Sequence, residues 1–163
     1  MSNANPDSGP MTLTFREAVA ADLPGIVALL WDDETARYRE DPSEPLDPRY
    51  LTAFEAIDSD PNQHLIAAER DGLLVGTMQL SFLPGLSFRG AWRAQIEAVR
   101  ITSELRGQRL GEQMILWAIE QARARDCKMI QLTSTATRLA AHRFYARLGF
   151  VHSHVGMKLH LRD

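Results

Sequence analysis

Two glycines and two arginines stand within the six residues Arg106–Gly111, RGQRLG, and an apolar helical pattern starts directly behind them. A helix start leaves backbone N–H groups unpaired and carries roughly +0.5 of an elementary charge, so it suits an anion. Gly107 and Gly111 lack a β-carbon, which lets backbone approach a bulky ligand. Arg106 and Arg109 add fixed positive charge in a fork that matches phosphate oxygens. The stretch therefore reads either as a backbone cradle for a phosphate or pyrophosphate, or as a solvated basic loop that uses glycine to turn. No Gly-Lys-Ser/Thr and no GxGxxG is present, so neither a P-loop nor a dinucleotide fingerprint is at hand.

The elements around this loop follow from periodicity. Leu13 and Phe15 alternate in a first strand over residues 12–19, and Asp22 starts a helix with Pro24 in its first turn. Breakers fill Asp41–Pro48, and a second helix is expected over Arg49–Ile57. Two apolar runs, His64–Arg70 and Leu73–Phe82, flank Asp71-Gly72, a pair suited to the positive φ of a tight hairpin turn. Trp92–Ile101 reads as a third long strand. Leu110, Met114, Ala118 and Ala122 then recur in helical steps. Met129–Thr133 is a short strand, and Ala140–Leu148 a helix with Gly149 at its cap. Phe150–Val155 and Met157–Leu161 are expected as two closing strands. The order gives a mixed α/β (α+β) domain over residues 12–163, an antiparallel meander followed by a strand–helix–strand unit. Residues 1–11 are expected to be a disordered tail or a cloning remnant, with no secretory signal.

Composition narrows the function. A net charge of −3 gives no general footprint for nucleic acid, and no apolar run approaches a membrane span. The single cysteine, Cys127, excludes an internal disulfide and suits a cytoplasmic protein with a buried structural thiol. His152, His154 and His160 alternate near the end without an acidic or cysteine partner, so no metal site is expected.

Several segments resemble one family. RGQRLG is similar to the Q/R-x-x-G-x-G/A motif of the GNAT (Gcn5-related) N-acetyltransferases, with Arg106 first and Gly111 last. IEAVRI resembles that family's fourth strand, AHRFYARLGF its C-terminal A-x-x-F-Y-x-x-x-G-F segment, and FREAVAADLPGI its opening. The resemblance spans about residues 12–161 in the family's order. It implies the GNAT fold, a central mostly antiparallel sheet flanked by helices, and acetyl-CoA as donor. The pyrophosphate would lie on Arg106, Gly107, Gln108, Arg109, Leu110, Gly111 and Glu112, and the pantetheine arm on the backbone of Val99 and Ile101. His142 either touches the cofactor or faces solvent. One departure stands out: the family's middle glycine is Arg109, and arginine takes unusual φ values only at a cost, so the loop is expected to bend elsewhere. Its guanidinium either contacts phosphate or points outward.

The implied reaction is attack of a small-molecule or peptide amine on the thioester. At pH 7 only about one lysine-like amine in 2,500 is unprotonated, a deficit of roughly 4.6 kcal/mol, so a general base is useful. The resemblance places Glu97 as base or water-holder and Tyr145 as acid to the leaving sulfur. On the residues alone Glu97 could instead face solvent or pair with Arg93, and Tyr145 could be a core aromatic with a wet hydroxyl. Asp32, Asp33 and Glu34 either hold a cationic amine or form a solvated helix end; Trp31, Tyr38 and Phe82 either line a pocket or sit in the core. A homodimer paired through the closing strands is a further expectation. The alternative is a non-catalytic CoA-binding sensor or interaction subunit with the same fold.

Overall fold

The computed structural model describes residues 12–33 and 37–161. Five strands lie side by side in chain order: β1 (Thr14–Glu17), β2 (Gln63–Arg70), β3 (Leu73–Leu83), β4 (Arg93–Ile101) and β5 (Met129–Leu132). The first four pair antiparallel and β5 joins β4 in parallel. Asp71 and Gly72, at φ 52° and 76°, make the tight turn that joins β2 to β3.

Helix α1 (Leu23–Trp31) starts where Asp22 holds it: the carboxylate accepts from the Val19 amide at 2.8 Å and pairs with Arg16 at 2.6 Å. Helix α2 (Pro48–Asp58) is capped by Asp47, whose carboxylate accepts from the Arg49 amide at 2.9 Å. These helices cover one sheet face through Ala18, Leu23, Ile26, Phe54 and Ala67. A single turn, α3 (Ser87–Gly90), interrupts the β3–β4 connection, with Phe88 and Arg89 left-handed. Helix α4 (Leu110–Ala124) covers the opposite face, and α5 (Leu139–Arg147) follows β5. Alternation sends Met78, Leu80, Phe82, Ala94 and Ile96 toward α4, where they pack with Met114, Ile115 and Ala118. Phe82 belongs to this core and not to a pocket. Each fully buried side chain of this size contributes roughly 1.5–3 kcal/mol.

The two closing strands are absent. Phe150 packs on the core, but residues 151–161 adopt no strand, and Val155 and Met157 are 84% and 94% exposed. Alternating apolar residues make a strand only where a sheet edge receives them, and this segment reaches no edge of its own chain among the described residues. No helix among the described residues is long and apolar enough to cross a membrane.

Candidate active site

The site is built where β4 leaves β5. The two strands pair from Arg93 with Met129 to Ile96 with Leu132, and β5 ends there, while β4 runs on to Ile101. Toward β3, the pair Gln79–Glu97 is followed by Thr77–Arg100, so Ala98 and Val99 together oppose Met78. Ala98 takes φ 52° in this bulge. The extra residue keeps Val99 and Ile101 against the α4 core and turns Arg100 to the α1 side. Thr102 N–H donates to Val75 O at 2.9 Å, so alternation points the Ile101 amide away from β3, into the splay. The Val99 carbonyl accepts from Arg100 Nη1 at 2.8 Å.

Gly76 makes the bulge possible. A β-carbon there would meet Arg100 O at 2.8 Å and Ile101 Cδ1 at 2.6 Å, so the strands close over a position that only glycine fills. Sequence alone marks Gly76 only as an isolated glycine in an apolar strand.

Beyond the bulge the chain turns through Gly107, at φ 81°, and Arg109, at φ 61°, into α4. The expectation that the loop bends elsewhere than Arg109 is corrected: Arg109 itself is left-handed. The conformation aligns its side chain with the first helical turn, where Nη2 lies 2.6 Å and Nε 3.0 Å from the Glu112 carboxylate. Arg109 raises no cap to the helix start, so the N–H groups of Leu110, Gly111 and Glu112 face outward. Beside them lies a cleft of about 280 Å³ lined by Ile101, Leu105, Arg106, Gly107, Arg109, Gly111, Glu112, Phe144 and Arg147. Leu110 lends its backbone to the cleft while its side chain is in the core. Cleft and helix start fit a diphosphate; the unpaired β4 edge fits an extended amide-bearing arm. Leu105, Phe144 and Arg147 were not singled out from the sequence.

Two expected contacts lie elsewhere. Gln108 is half-buried and does not line the cleft. His142 Nε2 donates to the Thr135 carbonyl at 3.0 Å and its ring lies against His152, so it ties down the β5–α5 connection instead of lining the cleft. Arg106 does reach the cleft, but its Nη2 binds the Asp32 carbonyl at 2.7 Å and carboxylate at 3.1 Å. Asp32 also accepts from the Ser103 amide at 3.0 Å, and Asp33 pairs with Arg100 and Arg138 at 3.0 and 3.5 Å. These two acids therefore hold the chain's own arginines and backbone rather than forming a solvated helix end. Glu34 lies outside the described residues. Trp31 carries the Arg37 guanidinium 4.4 Å from its ring centroid, and Tyr38 is exposed.

Glu97 is exposed on the α1 side of β4, opposite Gln79, with no hydrogen bond or ion pair among the described residues; the alternative pairing with Arg93 is not formed. Beside it runs a polar floor across the strands, Gln63–Ser81–Gln95–Gln131 in register. Ser81 donates to Gln63 at 2.6 Å and Gln131 to Gln95 at 2.8 Å. Tyr145 lies on α5, its ring edge-on to Phe144 and Phe150 at 5.1 and 5.7 Å, and its hydroxyl has no partner among the described residues. Burial pushes its pKa up, opposed by the charges of Arg138 and Arg100. It stays a neutral O–H donor at pH 7. Burial also raises the Cys127 pKa, which fits an unreactive thiol. Among the described residues no group of three or more His, Cys, Asp or Glu could hold a metal.

An aminoalkylphosphonate N-acetyltransferase from Salmonella typhimurium is 36% identical over 105 residues, covering 64% of this chain and 68% of the relative. An L-methionine sulfoximine/L-methionine sulfone acetyltransferase from Pseudomonas paraeruginosa is 28% identical, covering 86% and 81%. A solved structure described as a transcriptional regulator from Bacillus halodurans C-125 superposes with a TM-score of 0.89 at 45% identity, covering 92% of this chain and all of that one. Residues 24–150 match the Acetyltransferase (GNAT) family, whose donor is acetyl-CoA, and the chain belongs to that family of acetyltransferases.

Proposed function

We propose that the chain is an acetyl-CoA-dependent N-acetyltransferase acting on the primary amine of a small molecule or peptide by direct attack within a ternary complex. One observation supports this reading: β4 runs on past the end of β5, and on that stretch Glu97 has no hydrogen bond or ion pair among the described residues, while Tyr145, whose hydroxyl also has none, lies within reach of the charge of Arg100 on the same strand. The donor supplies an activated acetyl group on sulfur. Helix α4 and the Gly107 turn hold its diphosphate, and the Ile101 amide aligns its arm. Glu97 takes the ammonium proton, directly or through water, so that nitrogen attacks as the free amine. Tyr145 O–H gives a proton to the departing sulfur. The relatives support small amines over peptides, since their names give an aminoalkylphosphonate and methionine derivatives as acceptors.

In the same reading residues 12–163 work as one domain in the cytoplasm and as a homodimer. The exposed segment 151–161 supports the dimer, with Val151, Val155, Met157, Leu159 and Leu161 all solvent-facing, while β5 has no strand on its outer edge among the described residues. Neither nucleic acid nor membrane is expected as a partner at a net charge of −3.

A second reading, CoA binding without turnover, is favoured by the description of the Bacillus halodurans neighbour as a regulator. Calorimetric titration with acetyl-CoA, followed by thiol release over an amine panel, separates the two. Binding with amine-dependent thiol release supports the enzyme. Binding without release over the whole panel overturns it in favour of a sensor.

A further inference from the structure

Arg100 and Arg138 meet on one oxygen. Asp33 Oδ2 lies 3.0 Å from Arg100 Nη2 and 3.5 Å from Arg138 Nη1. Two guanidiniums thus share one carboxylate; Arg39 and Glu40 nearby add charges of opposite sign that offset each other. Arg100 is mostly withdrawn from water, and its Nε is buried without an acceptor among the described residues, an unfinished hydrogen-bond set on a permanent cation. Burial and the neighbouring Arg138 both disfavour its charge. Arg138 keeps nearly half its side chain in solvent, so its fork is open on one side. Among the described residues one carboxylate faces two guanidiniums, and an external anion balances the remaining positive charge most directly.

Its place in the fold says which anion. Arg100 follows Glu97 on the α1 side of β4, separated from it by the bulge. Arg138 stands at the N-cap position of α5, and Tyr145 lies seven residues on, two turns along the same face. Both arginines lie close enough to Tyr145 for their charges to act on it, so the cation pair stands beside Tyr145 and on the same side of β4 as Glu97. It lies apart from the diphosphate cleft, which neither arginine lines.

We propose that Arg100 and Arg138 form an anion subsite for the acceptor, so that the preferred substrate is a short amine carrying a carboxylate or phosphonate. This rests on the acetyl-transfer reading. With the anion on the guanidiniums, the amine is directed to Glu97.

The test compares acetylation of aminoethylphosphonate, β-alanine and aminopropanol, which share a spacer and differ in end group. The wild type is expected to favour at least one anionic amine over aminopropanol by about a hundredfold in kcat/KM, mainly through KM. Arg138→Gln reduces that preference to a few-fold, and Arg138→Lys keeps part of it. Equal rates for all three amines in the wild type overturn the subsite while leaving acetyl transfer standing, as does an equal loss on all three in Arg138→Gln. Titration of the CoA-bound protein with aminoethylphosphonate and β-alanine gives a readout without turnover. Binding to wild type but not to Arg138→Gln, with no amine acetylated, sustains the subsite and overturns the transfer reading. Absence of both binding and turnover overturns both.

Discussion

Arg109 and Glu112 close on each other at the start of α4, with Nη2 2.6 Å from Oε1 and Nε 3.0 Å from Oε2. The pair is i,i+3 and its arginine is largely in solvent, so it adds little to stability. Its effect is on charge at the cradle. Glu112 favours the helix start but repels a diphosphate there, and Arg109 cancels that repulsion. Arg109→Ala is expected to weaken acetyl-CoA binding about three- to tenfold at low salt, less at high salt. The double variant Arg109→Ala/Glu112→Gln should bind like wild type. Calorimetry at two ionic strengths checks this; a double variant as weak as the single one would mean that Arg109 grips phosphate directly.

Tyr145 has its pKa raised by burial. The proton that the proposed reaction takes from it is therefore in place across neutral pH, and the protonated side chain is lost only above the ordinary tyrosine range near ~10. The sign for stability is the same: the contribution is complete below the unfolded pKa and lost as pH rises through the folded one. Tyr145→Phe should lower kcat by about a hundredfold and leave acetyl-CoA affinity within about threefold. The high-pH limb of the rate profile should also move. A variant that turns over at the wild-type rate removes the acid.

Glu97 makes no contact among the described residues that a substitution would break. Glu97→Gln should therefore leave the melting temperature within about 2 °C and reduce kcat by about ten- to a hundredfold near neutrality. The loss should shrink as pH rises toward the amine pKa, because free amine then needs no base. A pH–rate profile on one amine decides, and a loss that does not change with pH would assign Glu97 to binding.

Gly76→Ala places a methyl against the Arg100 carbonyl under the bulge. The strands must part, at a cost of about 1–3 kcal/mol and a fall in melting temperature of roughly 3–10 °C. Because the bulge directs Ile101 into the splay, acetyl-CoA should also protect the variant less in thermal melts. A variant with wild-type melting and the same cofactor shift would show that the bulge adapts.

Local rules carried much of this molecule. Asp71-Gly72 was legible because two positive φ values are costly for most residues. The start of α4 was legible because Gly107 and the apolar periodicity behind it mark a helix start. Long-range partners were not legible. Asp32 and Asp33 are adjacent in sequence, yet one holds Arg106 and the other Arg100 and Arg138. Nothing in sequence spacing encodes such pairs across more than 65 positions. The bulge escaped for the same reason: Ala98 looks ordinary in an apolar run until its register against Met78 is known. Arg109 shows the limit of a steric rule, since its φ of 61° is held by the helix it begins and by Glu112.

The segment 151–161 failed as a pair of strands for want of a partner rather than of pattern. Val151, Val155, Met157, Leu159 and Leu161 fall on alternate positions, the spacing of one strand face. Five such side chains left in water are a liability that pairing removes. The outer edge of β5 has no neighbouring strand among the described residues, with Met129 partly exposed on it. A second copy presents both the same segment and the same edge, so reciprocal exchange satisfies each at once. Sedimentation is expected to give a dimer at micromolar concentration for wild type and a monomer for a chain ending at Phe150. Val155→Asp/Leu159→Asp, which keeps the length, should also be monomeric while retaining the fold by circular dichroism. A wild-type monomer at all concentrations would sink the exchange, as would a dimer that survives both changes.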